Sequence, residues 1–233
     1  MKNKIFAIIT AGGKGLRMNS STKKQFIQLA GKPILIHTIE KFFHTGIFDK
    51  IFVTLPKEDR QYGEKVIFSD YKFPKNNFII IDGGDTRQKS VYNALKSCPP
   101  STKIVVIHDS VRPFVKIQEI KKIVKLAEEK EAVVLGYPVK NTIKKIKQNI
   151  VLSTLDRKQL WEIFTPQAFY YDLIYKAHKN AERKKLKVND DAELIEIFGN
   201  DVFVLKGSSR NIKITDNFDL KIAEVILNNN RKE

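Results

Sequence analysis

The chain has little cysteine and no long apolar run, and these two absences argue against a disulfide-stabilised protein and a membrane-spanning one. Its 233 residues include a single cysteine, Cys98, so no disulfide can form within the chain. A chain without disulfides fits a reducing compartment. No stretch approaches the roughly 20 apolar residues that a membrane-spanning helix needs. The first residues also lack the apolar region and cleavage site of a signal peptide. The sequence therefore predicts a cytoplasmic protein with no membrane partner.

Acidic side chains are few as well, with 26 Asp and Glu against 42 Lys and Arg, which gives a formal net charge of +16. A charge of this size raises the prospect of nucleic acid as a partner. However, the lysines are spread along the chain, and the interleaved aromatic pattern of an RNA-binding sheet is absent. A basic nucleic-acid-binding module stays open as one explanation of the charge. A small polyanionic substrate and a plain compositional bias toward lysine explain it equally well.

The most informative segment lies near the start, where an apolar run at residues 5–9 leads into Thr10, Ala11, Gly12, Gly13, Lys14, Gly15, Leu16 and Arg17. A strand that opens into a glycine-rich loop presents backbone N–H groups to phosphate oxygens. Arg17 and the nearby Lys24 add the positive charge that a polyphosphate requires. The segment thus indicates nucleotide chemistry, with a plain strand-to-helix turn as the alternative.

Two common phosphate loops are excluded by the same residues. A Walker loop requires Gly-Lys-Ser or Gly-Lys-Thr, and neither tripeptide occurs in the chain. The dinucleotide fingerprint Gly-x-Gly-x-x-Gly begins at Gly13, but Met18 occupies the position of its third glycine. The loop therefore fits neither common phosphate-binding pattern, and both a phosphate loop of another kind and a plain strand-to-helix turn stay open at this point.

Short apolar runs alternate with amphipathic segments over the first two thirds of the chain. We predict strands at residues 5–10, 50–55, 77–81, 103–107 and 132–137, and helices at residues 33–43, 86–96 and 117–128. The predicted strands have little polar alternation, as expected when both faces of a sheet are covered. Such alternation indicates an α/β fold with a mostly parallel sheet. With no convincing linker, we expect residues 1–233 to form one domain.

Two further corners follow predicted strands, and ligands bind beyond the carboxyl ends of strands in such sheets. Gly83 and Gly84 precede the helix that carries Ser90, and Asp109 and Arg112 follow the strand at residues 103–107. Asp109 is suited to Mg²⁺ or a hydroxyl, and Arg112 to phosphate. The alternatives to a binding role are purely structural: a helix cap at Asp85 or Thr86 for the first corner, and a structural His108 at the second.

Residues 139–160 interrupt the alternation and predict a protruding β-hairpin arm with little apolar surface for a core of its own. Such an arm usually rests on something else, often a partner subunit. Further along, residues 211–215 predict a short strand, followed by a helix capped near Thr215 or Asp216.

Taken together, these pieces resemble the 2-C-methyl-D-erythritol 4-phosphate cytidylyltransferases of isoprenoid precursor synthesis, a family shared with ribitol-5-phosphate cytidylyltransferases. The resemblance covers about residues 5–227. It is carried, in order, by residues 11–18 with 24–26, 83–87 with 90–91, 108–113, 138–142, 157 with 160–161, 165–167, and 211–215 with 219–220. No one of these motifs decides the matter, but their ordered co-occurrence is specific.

The resemblance implies a Rossmann-like, mostly parallel sheet flanked by helices, with a dimerisation arm, and a role for each matching residue. The implied catalytic residues are Arg17, Lys24, Arg157 and Lys213. CTP, the co-substrate, would be held by Ala11, Gly12, Gly13, Gly15, Gly83, Gly84 and Ser90. The sugar phosphate would be bound by Asp109, Arg112, Thr142, Thr165 and Asn189, with Asp109 also a ligand of Mg²⁺. The family's arm crosses into a neighbouring subunit, which implies a homodimer in which Arg157 serves the partner's site.

The chain departs from the family pattern at three of these places. Asn189 stands where the family often has threonine, Asn141 replaces the usual aspartate before Thr142, and Lys23 replaces a proline often found before the Lys-Gln pair. We expect these changes to tune the sugar site rather than to abolish it. Residues 138–144 and 156–161 favour methylerythritol phosphate as the substrate, whereas residues 11–13 and 108–114 lean toward ribitol phosphate. We favour the first.

Overall fold

The computed structural model describes residues 4–12 and 23–230. The predicted positions 13–22, among them Gly13, Gly15 and Arg17, lie outside the described residues. No helix in the described part of the chain is both long and apolar enough to cross a membrane.

A central sheet organises the molecule, and the strands described here run in the order β11-β7-β10-β6-β1-β4-β5. Their bounds are β1 Lys4–Thr10, β4 Lys50–Leu55, β5 Phe78–Asp82, β6 Thr102–Asp109, β7 Ala132–Pro138, β10 Trp161–Tyr170 and β11 Phe203–Lys206. Strand β10 runs antiparallel to β6 and β7, and the other pairings are parallel. The mostly parallel α/β sheet predicted from the sequence is thus confirmed, as are all five predicted strands.

Helices cover both faces of this sheet. They are α1 Ile34–Phe43, α2 Arg60–Glu64, α3 Arg87–Ser97, α4 Ile117–Lys130, α5 Tyr171–Lys184, α6 Asp191–Ile197 and α7 Asn217–Asn230. Alternate residues of β1 show the two layers: Ala7 and Ile9 pack with α1 and α4, whereas Phe6 and Ile8 pack with α3, α5 and α6. Because both faces are buried, residues 6–9 of β1 are all apolar rather than alternating with polar ones.

A third apolar cluster joins α7 to the small hairpin of β2 (Gln28–Leu29) and β3 (Lys32–Pro33). Ala30 and Gly31 form its turn with φ of 50° and 79°, the left-handed values that a two-residue hairpin turn requires. Leu29, Ile34 and Ile214 are fully buried in this cluster. The cluster fixes the segment between residues 23 and 34 against the C-terminal part of the chain.

The predicted arm is a hairpin of β8 (Lys144–Lys147) and β9 (Ile150–Thr154). Gln148 and Asn149 form its turn with φ of 48° and 64°. Every residue of both strands is exposed. The hairpin therefore packs no buried apolar side chain against the described part of its own chain.

The predicted strand at residues 211–215 is wrong, because the structure has no strand there. The alternation of Ile212 and Ile214 has another cause, because Ile214 is buried against α7. The N–H of Ile214 donates a hydrogen bond to Val111 O at 2.9 Å. The helix start near Asp216 is confirmed, since Asp216 Oδ1 accepts the N–H of Asp219 at 2.9 Å.

Candidate active site

A cavity of about 520 Å³ lies beyond the carboxyl ends of β1, β4, β5 and β6. Each strand supplies part of the wall where it ends, as expected for an open parallel sheet. The lining residues are Thr10, Gly12, Lys24, Gln25, Pro56, Lys57, Glu58, Gly83, Gly84, Asp85, Thr86, Arg87, Ser90, Asp109, Ser110, Val111 and Lys213. Three separate stretches singled out from the sequence therefore meet in one place.

The corner after β5 is held by hydrogen bonds around Ser90. Its hydroxyl accepts the N–H of Gly84 at 3.0 Å and donates to Thr86 O at 2.9 Å. Thr86 caps α3, because its Oγ1 accepts the N–H of Lys89 at 3.1 Å, so the predicted cap is present together with the cavity wall. A Cβ on Gly84 would lie 2.6 Å from Lys89 Cβ. Glycine is thus required there by the close approach of α3.

The glycine-rich segment after β1 reaches the cavity at Gly12. Its neighbour Ala11 is buried and donates its N–H to Thr54 O at 3.0 Å, so the backbone of Ala11 is already engaged with β4. Lys24 begins the 3₁₀ turn Lys24–Phe26 on the same side of the cavity. The structure therefore brings Gly12 and Lys24 to one cavity, as the sequence predicted.

Asp109 forms the floor of the cavity and is surrounded by cations. Arg87 Nε lies 2.9 Å from its Oδ1, Lys213 Nζ lies 2.9 Å from its Oδ2, and Arg112 Nε lies 3.6 Å from Oδ2. Thr10 Oγ1 donates to Oδ1 at 3.3 Å. Burial alone would raise the pKa of Asp109, but the charges of Arg87, Lys213 and Arg112 hold it well below the ordinary value. Asp109 is therefore ionised at neutral pH.

Arg112 and Thr165 support Asp109 from behind. Thr165 is buried, and its Oγ1 accepts the backbone N–H of Asp109 at 3.0 Å. Arg112 donates from Nη1 to Asn211 O at 2.9 Å. Neither side chain is among those that line the cavity. Both predicted sugar-phosphate residues thus contact Asp109, Thr165 at its backbone N–H and Arg112 at its carboxylate.

His108 is a structural residue in this arrangement. It is fully buried, with Nε2 3.0 Å from Arg112 O. Burial lowers the pKa of His108 to about 4, so the imidazole is neutral at physiological pH. Its position behind the floor fits the structural reading of a histidine at a strand end.

Thr142, Arg157 and Asn189 are not brought to the cavity wall within this chain. Thr142 is exposed on the arm, and Arg157 is exposed at its base, where Nη1 donates to Lys140 O at 3.1 Å. Asn189 is exposed and donates through Nδ2 to Glu193 Oε2 at 3.0 Å. Their predicted roles in binding the sugar phosphate stay predictions.

The sequence missed a buried ion-pair chain that leads away from the cavity. Arg87 Nη1 contacts Asp191 Oδ2 at 2.7 Å, and Asp191 Oδ1 lies 3.1 Å from His178 Nε2. Arg87 and Asp191 are 104 positions apart, so no local spacing could connect them. The one available signal was Asp191 itself, an acidic residue that directly follows the cap residue Asp190 of α6.

No group of three His, Cys, Asp or Glu side chains that could hold a metal ion occurs in residues 4–12 and 23–230. Asp109 is consequently a single carboxylate among cations rather than one member of an acidic cluster. A divalent ion at this floor would need most of its ligands from a bound substrate.

Comparison with known proteins agrees with this geometry. A family model described as IspD, 2-C-methyl-D-erythritol 4-phosphate cytidylyltransferase, matches residues 5–229. A relative of that name from Clostridioides difficile (strain 630) is 42% identical over 226 residues, which cover 97% of this chain and 94% of the relative. Another from Clostridium botulinum (strain Eklund 17B / Type B) is 41% identical over 225 residues, covering 96% of this chain and 99% of the relative.

Solved structures lead to the same family. The crystal structure of 4-diphosphocytidyl-2C-methyl-D-erythritol synthase from Anaerococcus prevotii DSM 20548 aligns with a TM-score of 0.87 and 31% identity, covering 97% of this chain and 96% of that one. The 2-C-methyl-D-erythritol 4-phosphate cytidylyltransferase of Francisella tularensis aligns with a TM-score of 0.78 and 32% identity, covering 95% and 99%. The fold, the cavity and these matches place the chain in one family: it belongs to the 2-C-methyl-D-erythritol 4-phosphate cytidylyltransferases, which are CTP-dependent nucleotidyltransferases.

Proposed function

We propose that the cavity beyond β1, β4, β5 and β6 is where this chain joins CTP to 2-C-methyl-D-erythritol 4-phosphate. The products are the CDP-linked sugar alcohol and pyrophosphate, in the non-mevalonate route to isoprenoid precursors. The observation that carries the proposal is the meeting of Gly12, Lys24, the Gly83–Gly84 corner and the cation-ringed Asp109 in one cavity. Backbone N–H groups and positioned cations are what a triphosphate requires.

The chemistry asks for positioning and charge rather than for a base. A phosphate monoester has its second pKa near 6, so an oxygen of the sugar phosphate is already an anionic nucleophile. It attacks the α-phosphorus of CTP, and the bond from that phosphorus to the bridging oxygen of pyrophosphate breaks. Lys24, with Arg17 from outside the described residues, would stabilise the charge on the α-phosphate. Lys213, which lines the cavity, would attract the incoming phosphate to the floor, and Arg112 would add its positive charge from behind Asp109.

Mg²⁺ is proposed to enter with the nucleotide. The donor set fits, because Mg²⁺ is commonly held by one or two carboxylates together with substrate phosphates. Asp109 is a buried carboxylate facing the cavity, and Glu58 and Asp85 lie on the wall. When bound, the ion would neutralise charge on the triphosphate and activate the α-phosphorus toward attack. Lys213 pairs with Asp109 Oδ2 at 2.9 Å and lines the same cavity, so its cation would add to the positive charge that the substrate phosphates meet there.

The arm supports a homodimer. Ile146, Ile150, Val151 and Leu152 are exposed on one hairpin, each by at least half of its surface. Contiguous exposed apolar side chains of this kind indicate a protein contact. We propose that the arm reaches a second copy of the chain, and that Arg157 and Thr142 complete the partner's site for the sugar phosphate. This accounts for their distance from the cavity of their own chain.

The test is pyrophosphate release from CTP with each sugar phosphate offered separately. We expect release with methylerythritol phosphate and little with ribitol phosphate. Lys24→Ala should lower kcat by about 10²- to 10³-fold, the effect of removing one donor to transition-state charge. Lys32→Ala is the matched control, because Lys32 lies on the nearby β2–β3 hairpin, pairs with Glu40 of α1 at 2.6 Å and does not line the cavity.

Several outcomes would contradict the proposal. Preference for ribitol phosphate would reassign the sugar to the other branch of the family. Activity with neither sugar phosphate would overturn the proposed reaction. A Lys24→Ala variant as active as Lys32→Ala would remove Lys24 from the catalytic role.

A further inference from the structure

Arg87 lies between two buried carboxylates, and only one of them belongs to the cavity. Its Nε is 2.9 Å from Asp109 Oδ1, and its Nη1 is 2.7 Å from Asp191 Oδ2. Both carboxylates have less than a tenth of their side-chain surface exposed. Burial alone would lower the pKa of Arg87, but the charges of Asp191 and Asp109 raise it. The guanidinium is thus a fixed cation shared between them.

Asp191 is anchored from the side opposite the cavity. Its Oδ1 lies 3.1 Å from His178 Nε2 on α5, and both side chains are only 1% exposed. The ring of His178 is stacked on that of Tyr92 of α3, with the planes 8° apart. Asp191 itself opens α6 directly after its cap residue Asp190. Three helices therefore hold the carboxylate that holds Arg87.

The one guanidinium nitrogen of Arg87 that bonds neither carboxylate, Nη2, is not exposed to the cavity. Arg87 retains 27% of its side-chain surface and lines the cavity, yet its Nη2 is buried and makes no hydrogen bond to the described protein atoms. Nη2 is therefore not an exposed donor for phosphate. The side chain of Lys213 is the more exposed of the two, at 38%.

We propose that Arg87 is a positioning residue for the cytidylyl transfer, and that Asp191 is the counter-charge that holds it in place. Arg87 fixes the Asp109 carboxylate, and Asp109 in turn fixes Lys213 and Arg112, the cations assigned to the sugar phosphate. Without Asp191, Arg87 would have one carboxylate partner instead of two and would be free to turn about it. The inference rests on the proposed function of the cavity, but it concerns residues to which the family resemblance gave no role.

Steady-state kinetics test the positioning role. Arg87→Ala should lower kcat by about 10²-fold, the scale expected when catalytic groups are misplaced by about 1 Å. KM for CTP should be nearly unchanged, because the corner at Gly83 and Gly84 is held by the Ser90 hydroxyl and not by Arg87. Arg87→Lys keeps the charge but not the fork, so it should retain more activity than Arg87→Ala. Added methylguanidinium chloride should restore part of the kcat of Arg87→Ala.

Arg60→Ala is the matched control. Arg60 also bridges two carboxylates, with Nε 3.0 Å from Glu64 and Nη1 2.9 Å from Asp82, but it does not line the cavity. Its kcat should match that of the wild type. The proposal is overturned if Arg87→Ala keeps a kcat within about twofold of wild type. It is also overturned if only the KM for sugar phosphate rises, since that would mean direct binding, or if methylguanidinium restores nothing.

A double-mutant cycle in melting temperature tests the ion pair between Arg87 and Asp191 without measuring turnover. Arg87→Met and Asp191→Asn should each lower the melting temperature, because each leaves a buried charged group with less compensation. The double variant should lose less than the sum of the two single losses. Additive losses would overturn the shared-cation arrangement. If the wild-type chain released no pyrophosphate, the proposed function would fail while this cycle still gave its own answer.

Discussion

Ser90 connects the start of α3 to the wall of the cavity through one hydroxyl. Only 2% of the residue is exposed, and its Oγ bonds both the N–H of Gly84 and the carbonyl of Thr86. Gly84 is half-buried, so its N–H can regain water if the hydroxyl is removed, and the bond is worth about 1 kcal/mol, the net value of an ordinary hydrogen bond. The same side chain therefore contributes to stability and to the shape of the corner assigned to CTP.

Ser90→Ala should consequently lower the free energy of unfolding by about 1 kcal/mol and raise the KM for CTP. Ser97→Ala is the control on the same helix, where Oγ only donates to Asn93 O at 3.1 Å on an exposed turn. That change should be nearly neutral. Urea unfolding and initial rates measure both quantities, and equal stability of the two variants would rule out the role given to Ser90.

At the level of elements, the arm differs from every other strand pair described here. The residues of β8 and β9 are all exposed, so their apolar side chains contribute nothing to the fold of the single chain. Their burial would come from association alone. Substitutions of these side chains should therefore change the free energy of dimerisation rather than the stability of the single chain.

Leu152→Asp should shift the mass measured by light scattering from that of two chains to that of one, because a charge buried in an apolar interface is expensive. The circular dichroism spectrum should be unchanged, since Leu152 is 54% exposed in the single chain. Lys145→Gln, on the neighbouring strand of the same hairpin, is the control. A wild-type protein with the mass of one chain would refute the arm's role in dimerisation.

At the level of the whole molecule, Cys98 reports on opening of the fold. It lies at the end of α3, only 7% exposed, and burial raises its pKa to about 12. Since the thiolate is the reactive form, the native protein should react very slowly with a thiol reagent at pH 8. The cysteine becomes reactive only when the layer of α3 and α5 separates from the sheet.

We expect CTP to lower the labelling rate of Cys98 by a factor of 1 + [CTP]/Kd, because the ligand stabilises the closed form. Absorbance of the released thiol product follows the reaction. A Ser97→Cys variant, which places a thiol on the exposed neighbouring position, should be labelled at once with or without CTP. Rapid native labelling of Cys98 would show that the end of α3 opens on its own.

How far the sequence predicts this structure depends on the range over which residues interact. Five strands and the helices α1, α3 and α4 were predicted because hydrophobic periodicity is local: Ile120, Ile123, Val124 and Ala127 of α4 are all buried, as their spacing implied. The helices α5 and α6 were not predicted. Strand β10 was missed because it begins with exposed residues and contains Pro166. Strand β11 was missed because it is a short, mostly exposed edge.

The candidate site divides in the same way. Gly83, Gly84, Ser90 and Asp109 could be found because each follows a predicted strand, and parallel strands end at one edge. The contact of Thr165 with the Asp109 N–H depends on an irregularity of β10, whose register to β7 shifts between Phe164 and Gln167. Arg87 and Asp191 meet only after α3 and α6 pack on the sheet. Long-range packing of that kind leaves no pattern in a single sequence.

The ring of cations around Asp109 has a consequence for the selection of anions. The carboxylate is an internal anion, so Lys213 and Arg112 are kept close together without the mutual repulsion that would otherwise spread them. An incoming anion must compete with this resident charge. Chloride, with a single diffuse charge, has little advantage over Asp109, whereas a phosphate dianion with several acceptor oxygens has more. The floor therefore discriminates by charge density, and common salts should compete poorly with the sugar phosphate.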